Sequence, residues 1–436
     1  MPKQSEIKDE KKENKVEGTY NPLLNALKEN DKKNLFNTNV TTAFIKTGFP
    51  LIDYYFGSVI NVHDKEGNII KQEPRVGQAM GTFNMVISQS GSGKSSLMAQ
   101  ISANIIRQFP YANVIYFDCE NRFDMSRAET ITKLPASFFN NKNGPERFMI
   151  KSGAISLETM QKMVTDLYRH KMNHYNELLI DTGMNDEFGE PLKILQPTVI
   201  VIDSLTTVIN ESFSPDSTKD MQGVEKMRSN TDGARDAKTL KGFLKDVIPL
   251  CKEANITIFG INHINNNMSM NAFLPVAKQQ NFLKQDEVVP GGRALIYYSF
   301  NIMKLIAKPS DDFKEDVDGF NGHIVQVEPI KSSSNQSGNN SKGVSFELVF
   351  SFKNGFDALR SIIHYGRQYG LIEGNKNKLK FKDDPSFTFS FKDIYKDKDK
   401  YPIWEDIKKY IIPHLNNHLS FTEPEDMKFD EASLDY

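Results

Sequence analysis

Residues 87–97 read ISQSGSGKSSL, a glycine-rich turn between an apolar run and a helical pattern, and the reading of this stretch decides the fold. The run before it, NMVIS (84–88), is β-like, and Leu97, Met98, Ile101 and Ile105 recur at helical spacing after it. Consecutive backbone N–H groups in such a turn converge on phosphate oxygens, and the positive end of the helix beginning at about Lys94 strengthens the attraction. Ser90, Gly91, Ser92, Gly93, Lys94, Ser95 and Ser96 are therefore the candidates for holding a nucleotide. In that arrangement Lys94 reaches the β and γ phosphates and the Ser95 hydroxyl ligates Mg2+. Ser88 takes the outermost position, where glycine is more usual; a small side chain fits there, and no phosphate-contacting group is lost. The competing reading is a chance Gly/Ser turn ahead of a helix.

Further apolar runs follow at NVIYFD (113–118), TVIVID (198–203) and ITIFGIN (256–262), with helical patterns between them. Val/Ile runs without polar alternation suit strands covered on both faces, which predicts an α/β fold with a mainly parallel central sheet. The strongest helix spans 232–252, where Leu240, Phe243, Leu244, Val247, Ile248 and Cys251 share one face and Pro249 introduces a bend. Asp203 ends its strand at the carboxyl edge of the sheet, placed to hold the water shell of a magnesium ion, although an Asp there can also be only a helix cap. Beyond the 113–118 strand stand Asp118, read as a support for its loop, and Glu120, the candidate general base for the attacking water.

Composition narrows the class without naming it. With 54 basic and 56 acidic residues among 436, the net charge is -2, so affinity for a polyanion must come from local patches. Cys119 and Cys251 are too few for a disulfide framework or a four-ligand zinc site, which points to a reducing compartment. No apolar run approaches the ~18 residues that cross a bilayer, so a cytoplasmic chain without membrane contact is expected.

Residues 1–40 combine a mixed-charge arm with Leu23, Leu24 and Leu27 at helical spacing, read as a short docking helix. The ATPase core is expected over 41–343, with a hairpin at 59–72. A smaller α/β domain follows over 344–420 around Phe356, Leu359, Ile362, Ile363, Trp404, Ile407 and Ile411, then an acidic tail at 421–436. Two polar stretches, 210–230 and 264–290, exceed the ~12–15 residues that a compact domain normally leaves without structure.

Taken in order, these parts resemble the RecA family, and more closely its phage UvsX-like branch, over roughly residues 40–375. IKTGFPLIDYYFG (45–57) is similar to the family's entry segment, and Glu120 follows the second strand as the family's catalytic glutamate does. The most specific match is GINHI (260–264), a long loop, and PGGRALIYYSFNIMKL (290–305): a γ-phosphate sensor, a second DNA loop, and a Gly-Gly helix start. His263 stands where most bacterial members carry glutamine; without the resemblance, a strand-end histidine satisfied by backbone is as common. Asp124 matches a position that contacts adenine.

The resemblance implies a RecA-like P-loop NTPase core that takes ATP and Mg2+ and hydrolyses ATP in response to DNA. It makes 210–230 and 264–290 the two DNA loops, with Lys219, Lys226 and Arg228 in the first and Phe273, Lys278, Phe282 and Lys284 in the second, continued by Gly291, Gly292 and Arg293. Phosphate neutralisation and base stacking hold single strands without sequence preference, which suits these residue types. VEPIKSSS (327–334) resembles the element that reaches a neighbour's γ-phosphate, with Lys331 at its first basic position and Ser333 at the second, where the family is basic. Lys94, Glu120, His263 and Lys331 are thus the catalytic candidates.

The function implied is an ATP-dependent recombinase forming a helical filament on single-stranded DNA and pairing it with a homologous duplex. The resemblance also implies that the helix around Leu23, Leu24 and Leu27 docks on the next subunit as an oligomerisation segment. Implied partners are both DNA forms, further copies of the chain, and mediator and single-strand-binding proteins; a phage origin would put it in the bacterial cytoplasm. Two other readings use the same residues: a ring-forming helicase-like motor, and a DNA-coating protein that uses ATP as an assembly switch with little turnover.

Overall fold

The computed structural model describes residues 42–139, 146–208, 232–266, 281–285, 287–308, 321–334, 344–375, 377–396, 403–419 and 421. The arm and docking helix expected over 1–40, the first DNA loop and most of the acidic tail lie outside the described residues. The described residues, which begin at Thr42, belong to one compact unit.

Its centre is a nine-stranded sheet whose strands, in chain order, are β1 (Phe83–Ser88), β2 (Asn113–Asp118), β3 (Phe148–Ser152), β4 (Thr198–Asp203), β5 (Ile256–His263), β6 (Asn301–Lys308), β7 (Gly322–Ser332), β8 (Phe346–Ser351) and β9 (Gly355–Asp357). They lie in the order β9-β8-β7-β6-β1-β5-β4-β2-β3. The six from β6 to β3 are parallel; β7, β8 and β9 continue one edge as an antiparallel meander. The protein is thus a mixed α/β fold with a mostly parallel sheet.

Alternation along the buried strands feeds two cores. Val86, Val114, Tyr116, Val199, Val201, Phe259 and Ile261 face one side, where helices Lys94–Gln108 and Ala358–Gln368 supply Leu97, Ile101, Ile105, Ile362 and Ile363. Met85, Ile87, Ile115, Phe117, Ile200, Ile202 and Ile258 face the other, covered by Met160 and Val164 of helix Leu157–Asn173 and by Leu240, Phe243, Leu244 and Val247 of helix Asp232–Glu253. Side chains of period two bury both faces only when helices cover each, which is why the strands read as unbroken apolar runs. No helix among the described residues is long and apolar enough to cross a membrane.

Three features differ from the sequence reading. The hairpin expected at 59–72 is present as Ser58–His63 paired with Ile69–Arg75, but a second, unexpected hairpin, Leu179–Asn185 with Pro191–Leu195, packs on it. The His63 N–H donates to the Glu187 carbonyl at 2.8 Å and Arg75 Nη2 to the Asn185 carbonyl at 2.6 Å. The boundary drawn at 343/344 cuts through the sheet, because β8 and β9 are its last two strands. Nor does the C-terminal part have a separate core: Ile372, Leu379, Phe381, Ile403, Ile407 and Ile411 join the core behind β1, β2 and β4. Helix Ala358–Gln368 bridges the two, its Ile362 and Ile363 fully buried.

Trp404, expected inside that core, is 40% exposed, while its neighbours Ile403 and Ile407 are buried. Ile407→Ala should therefore cost about 2–5 kcal/mol in urea denaturation, and Trp404→Ala distinctly less. The reverse order would contradict this packing.

Candidate functional site

Parallel strands place their carboxyl ends together, and the chemistry-bearing side chains of this protein gather there. β1 runs into the 89–93 turn, β2 into Cys119–Phe123, β4 into Ser204, and β5 ends on His263. Between them lies a cleft of about 320 Å³ lined by Ser90, Gly91, Gly93, Lys94, Ser95 and Ser96, by Asp118, Glu120, Asp203 and His263, and by Arg122, Phe123, Phe350 and Phe352.

The turn takes its shape from two glycines. Gly91 and Gly93 have φ of 82° and 83°, a left-handed region that favours glycine. A Cβ on Gly91 would meet nothing within 4 Å, so the cradle is open, whereas on Gly93 it would come within 2.9 Å of the Phe356 ring. The helix starts at Lys94, directly after Gly93. Lys94 Nζ donates to Ser88 Oγ at 2.8 Å and to the carbonyls of Gln89 (3.0 Å) and Ser88 (3.3 Å). Ser88 is thus more than a tolerated substitute: its buried hydroxyl also bonds Ser92 Oγ and gives the lysine a side-chain partner that glycine lacks. Burial depresses Lys94 from 10.5 to about 8 against the raising pull of Asp203 and Glu120.

Facing the turn are three carboxylates in different settings. Asp203 is pushed up by burial, opposed by hydrogen bonds from Ser95 and Tyr116 and reinforced by the charges of Glu120 and Asp118. The Tyr116 hydroxyl donates to Asp203 Oδ2 at 2.6 Å and fixes its rotamer. Asp118 accepts the Arg122 and Phe123 N–H groups at 3.1 and 3.0 Å and the Ser152 hydroxyl at 3.1 Å, and so shapes the loop carrying Glu120. Glu120 Oε1 accepts from Ser204 Oγ and from His263 Nε2, both at 2.7 Å, while Arg122 lies 3.3 Å from Oε2. Burial would raise the Glu120 carboxyl, but these hydrogen bonds and the charges of His263 and Arg122 hold it below the usual range. Glu120 is therefore a carboxylate at neutral pH, oriented through one oxygen.

The cleft suits a triphosphate with a hard cation. Ser95 at the head of its helix and the Asp203 carboxylate both line this cleft, and magnesium takes one or two carboxylates together with substrate phosphates. Among the described residues no group of three or more His, Cys, Asp or Glu could hold a metal, and such a site needs none.

Other expected residues stand elsewhere. Ser92 is buried behind the turn, and Asp124 caps helix Met125–Thr132 by accepting the Arg127 N–H at 2.8 Å. Lys331 lies on β7 and donates to the carbonyls of Ile296 (3.2 Å), Tyr297 (3.2 Å) and Ser299 (2.5 Å), closing the end of helix Arg293–Tyr298 in the same chain. Of the DNA candidates, Lys219, Lys226, Arg228, Phe273 and Lys278 lie outside the described residues. Lys284 and Arg293 are exposed, and Gly291 and Gly292 lead into the Arg293 helix. Phe282, expected to be available for bases, packs against the second core because Leu283 beside it is buried there.

Sequence reasoning missed Tyr116, Ser204, Phe350 and Phe352. Tyr116 and Ser204 had a local signal, a hydroxyl inside or directly after an otherwise apolar strand. Phe352, 57% exposed at the rim, is held by Arg127, which donates to the carbonyls of Phe352 (2.5 Å) and Lys353 (2.9 Å). More than two hundred residues separate that pair in sequence, and no pattern announces it. No protein-family model matches the chain, and no curated protein does.

The depressed Lys94 has a measurable consequence. The unfolded chain keeps this proton up to 10.5 while the folded protein releases it at about 8, so stability rises with pH between those values. Lys94→Met should make that rise shallower, leaving the part due to Lys171, which burial depresses to about 7, and make the nucleotide-free protein more stable at neutral pH, by on the order of 3 kcal/mol. Urea denaturation across the range checks both.

Proposed function

We propose that this protein is an ATP-dependent DNA recombinase of RecA type, which binds ATP with Mg2+ in the cleft, assembles as a helical filament on single-stranded DNA and pairs it with a homologous duplex. One observation carries the reading: Lys94, Ser95, Asp203, Glu120 and His263 converge on one cleft, and His263 is the last residue of β5 before the long 264–290 segment. Supporting the fold part are the six parallel strands with helices on both faces and a glycine turn at the end of the strand beside β5.

Lys94 exchanges the Ser88 and Gln89 oxygens for β and γ phosphate oxygens as the backbone N–H groups of the 90–93 turn converge on the same anion. Ser95 and Asp203 would hold magnesium, which would supply positive charge where negative charge develops on the phosphates. Glu120, ionised and oriented by Ser204, takes a proton from the attacking water. His263 gives up Glu120 for a γ-phosphate oxygen and so reports the triphosphate to the segment it begins. Phe352 and Phe350 offer an apolar wall at the rim for the base.

A second reading is favoured by one observation. Lys331 is engaged within its own subunit and Ser333 carries no charge, which fits a DNA-coating protein switched by ATP with little turnover. Turnover and strand exchange separate the two.

The primary test is ATP hydrolysis with and without single-stranded oligonucleotide. Strong stimulation that weakens with rising salt is expected, since phosphate contacts release counterions; an unresponsive enzyme would sink the recombinase reading. Glu120→Gln should lower turnover by about 10²–10⁴ while nucleotide binding persists, and Lys94→Ala should lose both. A Lys94→Ala protein hydrolysing at the normal rate would refute the site.

A further inference from the structure

Residues just after His263 pair with residues near 288 in a way that their polar sequence does not announce. Asn265–Asn266 pairs antiparallel with Glu287–Val288, and Ile264, Leu283 and Val289 enter the second core. Asn262 Nδ2 donates to the Pro290 carbonyl at 2.9 Å, tying the end of β5 to the same return limb.

Beneath this ribbon lies a buried ion pair. Lys304 Nζ on β6 is 3.4 Å from Glu287 Oε2, with side chains 8% and 5% exposed. The ammonium also donates to the Phe282 carbonyl at 3.2 Å, and the carboxylate accepts the Lys284 N–H at 2.9 Å. Phe282, Lys284 and Glu287 are therefore tied together around two buried charges. Lys304 pairs in register with Ile87 on β1, one residue before Ser88 and the glycine turn. One partner of the clamp thus belongs to a strand flanking the phosphate cradle, and the other to the segment beginning at the γ-phosphate reporter.

We propose that Lys304 and Glu287 are positioning residues that lock the limb around Phe282, Lys284 and Glu287 onto β6, so that a polynucleotide bound by the protein and a triphosphate held by the turn sense each other through the pair. The inference rests on the recombinase reading. A period-two ribbon slipped by one residue would turn Glu287 away and leave Lys304 buried without its counter-charge, so the pair admits a single register. Buried pairs can often be replaced by apolar residues of similar volume without loss of stability, which separates a positioning role from a merely structural one.

The test compares Glu287→Leu with Lys304→Met as a double variant, and Glu287→Gln alone, with the unmodified chain. Readouts are thermal melting, ATP hydrolysis without DNA, and its stimulation by oligothymidylate. The double variant should melt near the unmodified protein and keep its DNA-independent rate within about twofold, while stimulation falls at least tenfold. Glu287→Gln, which retains an acceptor for Lys304, should recover part of the stimulation. A folded double variant stimulated like the unmodified chain overturns the assignment of the pair alone; an unmodified chain that hydrolyses ATP yet ignores the oligonucleotide overturns the reading beneath it. Should the double variant not fold, amide exchange on the unmodified protein decides: protection across 281–289 should change on adding a non-hydrolysable ATP analogue, and an unchanged pattern overturns the proposal.

Discussion

Burial of the sheet on both faces is the constraint from which the rest follows. With Val, Ile and Phe on each side of β1, β2, β4 and β5, a charged group has no place along these strands and must appear where they end. Parallel direction then brings Ser88, Asp118, Asp203 and His263 to one edge, each as the last residue of its strand. The register says the same: Asp203 pairs with Asp118 on one side and with Ile261 on the other, and His263 pairs with Ser88. A site assembled this way is anchored by the most rigid part of the molecule, and the 89–93 turn and the loop carrying Glu120 depart directly from it.

Charge at that edge is arranged rather than accumulated. Each carboxylate has its own hydrogen-bond donors: backbone N–H groups for Asp118, Tyr116 for Asp203, Ser204 and His263 for Glu120. The environments push the groups apart, with Asp203 raised by burial and Glu120 held low. Neighbouring acids with opposed shifts are the usual way one cleft assigns different tasks to chemically similar groups. Lys94, depressed by burial, has only neutral oxygens of the described residues within hydrogen-bonding distance, which is an unfavourable state for an ammonium and one that an anion in the cleft would relieve.

The strand ends and the helix over 232–252 were legible because each signal is local: an unbroken apolar run, a glycine turn, a 3.6-residue stripe. The observed bounds, Asn113–Asp118, Thr198–Asp203 and Asp232–Glu253, differ from that reading by a residue at most. What escaped depends on contacts far apart in sequence. The Leu179–Asn185 hairpin alternates around polar residues whose covering face is another hairpin, 58–75. The C-terminal strands looked like a separate domain because Phe346–Ser351 follows a Ser/Asn-rich connection, yet the free edge of β7 takes them into the main sheet. Trp404 suggested a core position by its size, but on its helix the buried stripe falls on Ile403 and Ile407, at i and i+4. The lysine and glutamate of the buried pair, 17 residues apart, carry no spacing rule at all.

Lys331 shows where a resemblance and a geometry pull in different directions. A lysine that serves a neighbour's phosphate must be free to extend, and this one donates to three carbonyls at the end of helix Arg293–Tyr298. Those carbonyls belong to the last turn, where a helix has no internal donors left and a cation is favoured by the dipole. Burial depresses the Lys331 ammonium, so its present setting is not an especially good one for the charge. The two uses exclude each other: an extended Lys331 leaves the helix end without its cation, and a capped helix keeps the lysine at home. The helix concerned begins directly after Gly291 and Gly292, where the long segment rejoins the body. Any subunit boundary that recruited Lys331 would therefore loosen the element into which that segment runs, and would have to compensate for it with contacts across the boundary.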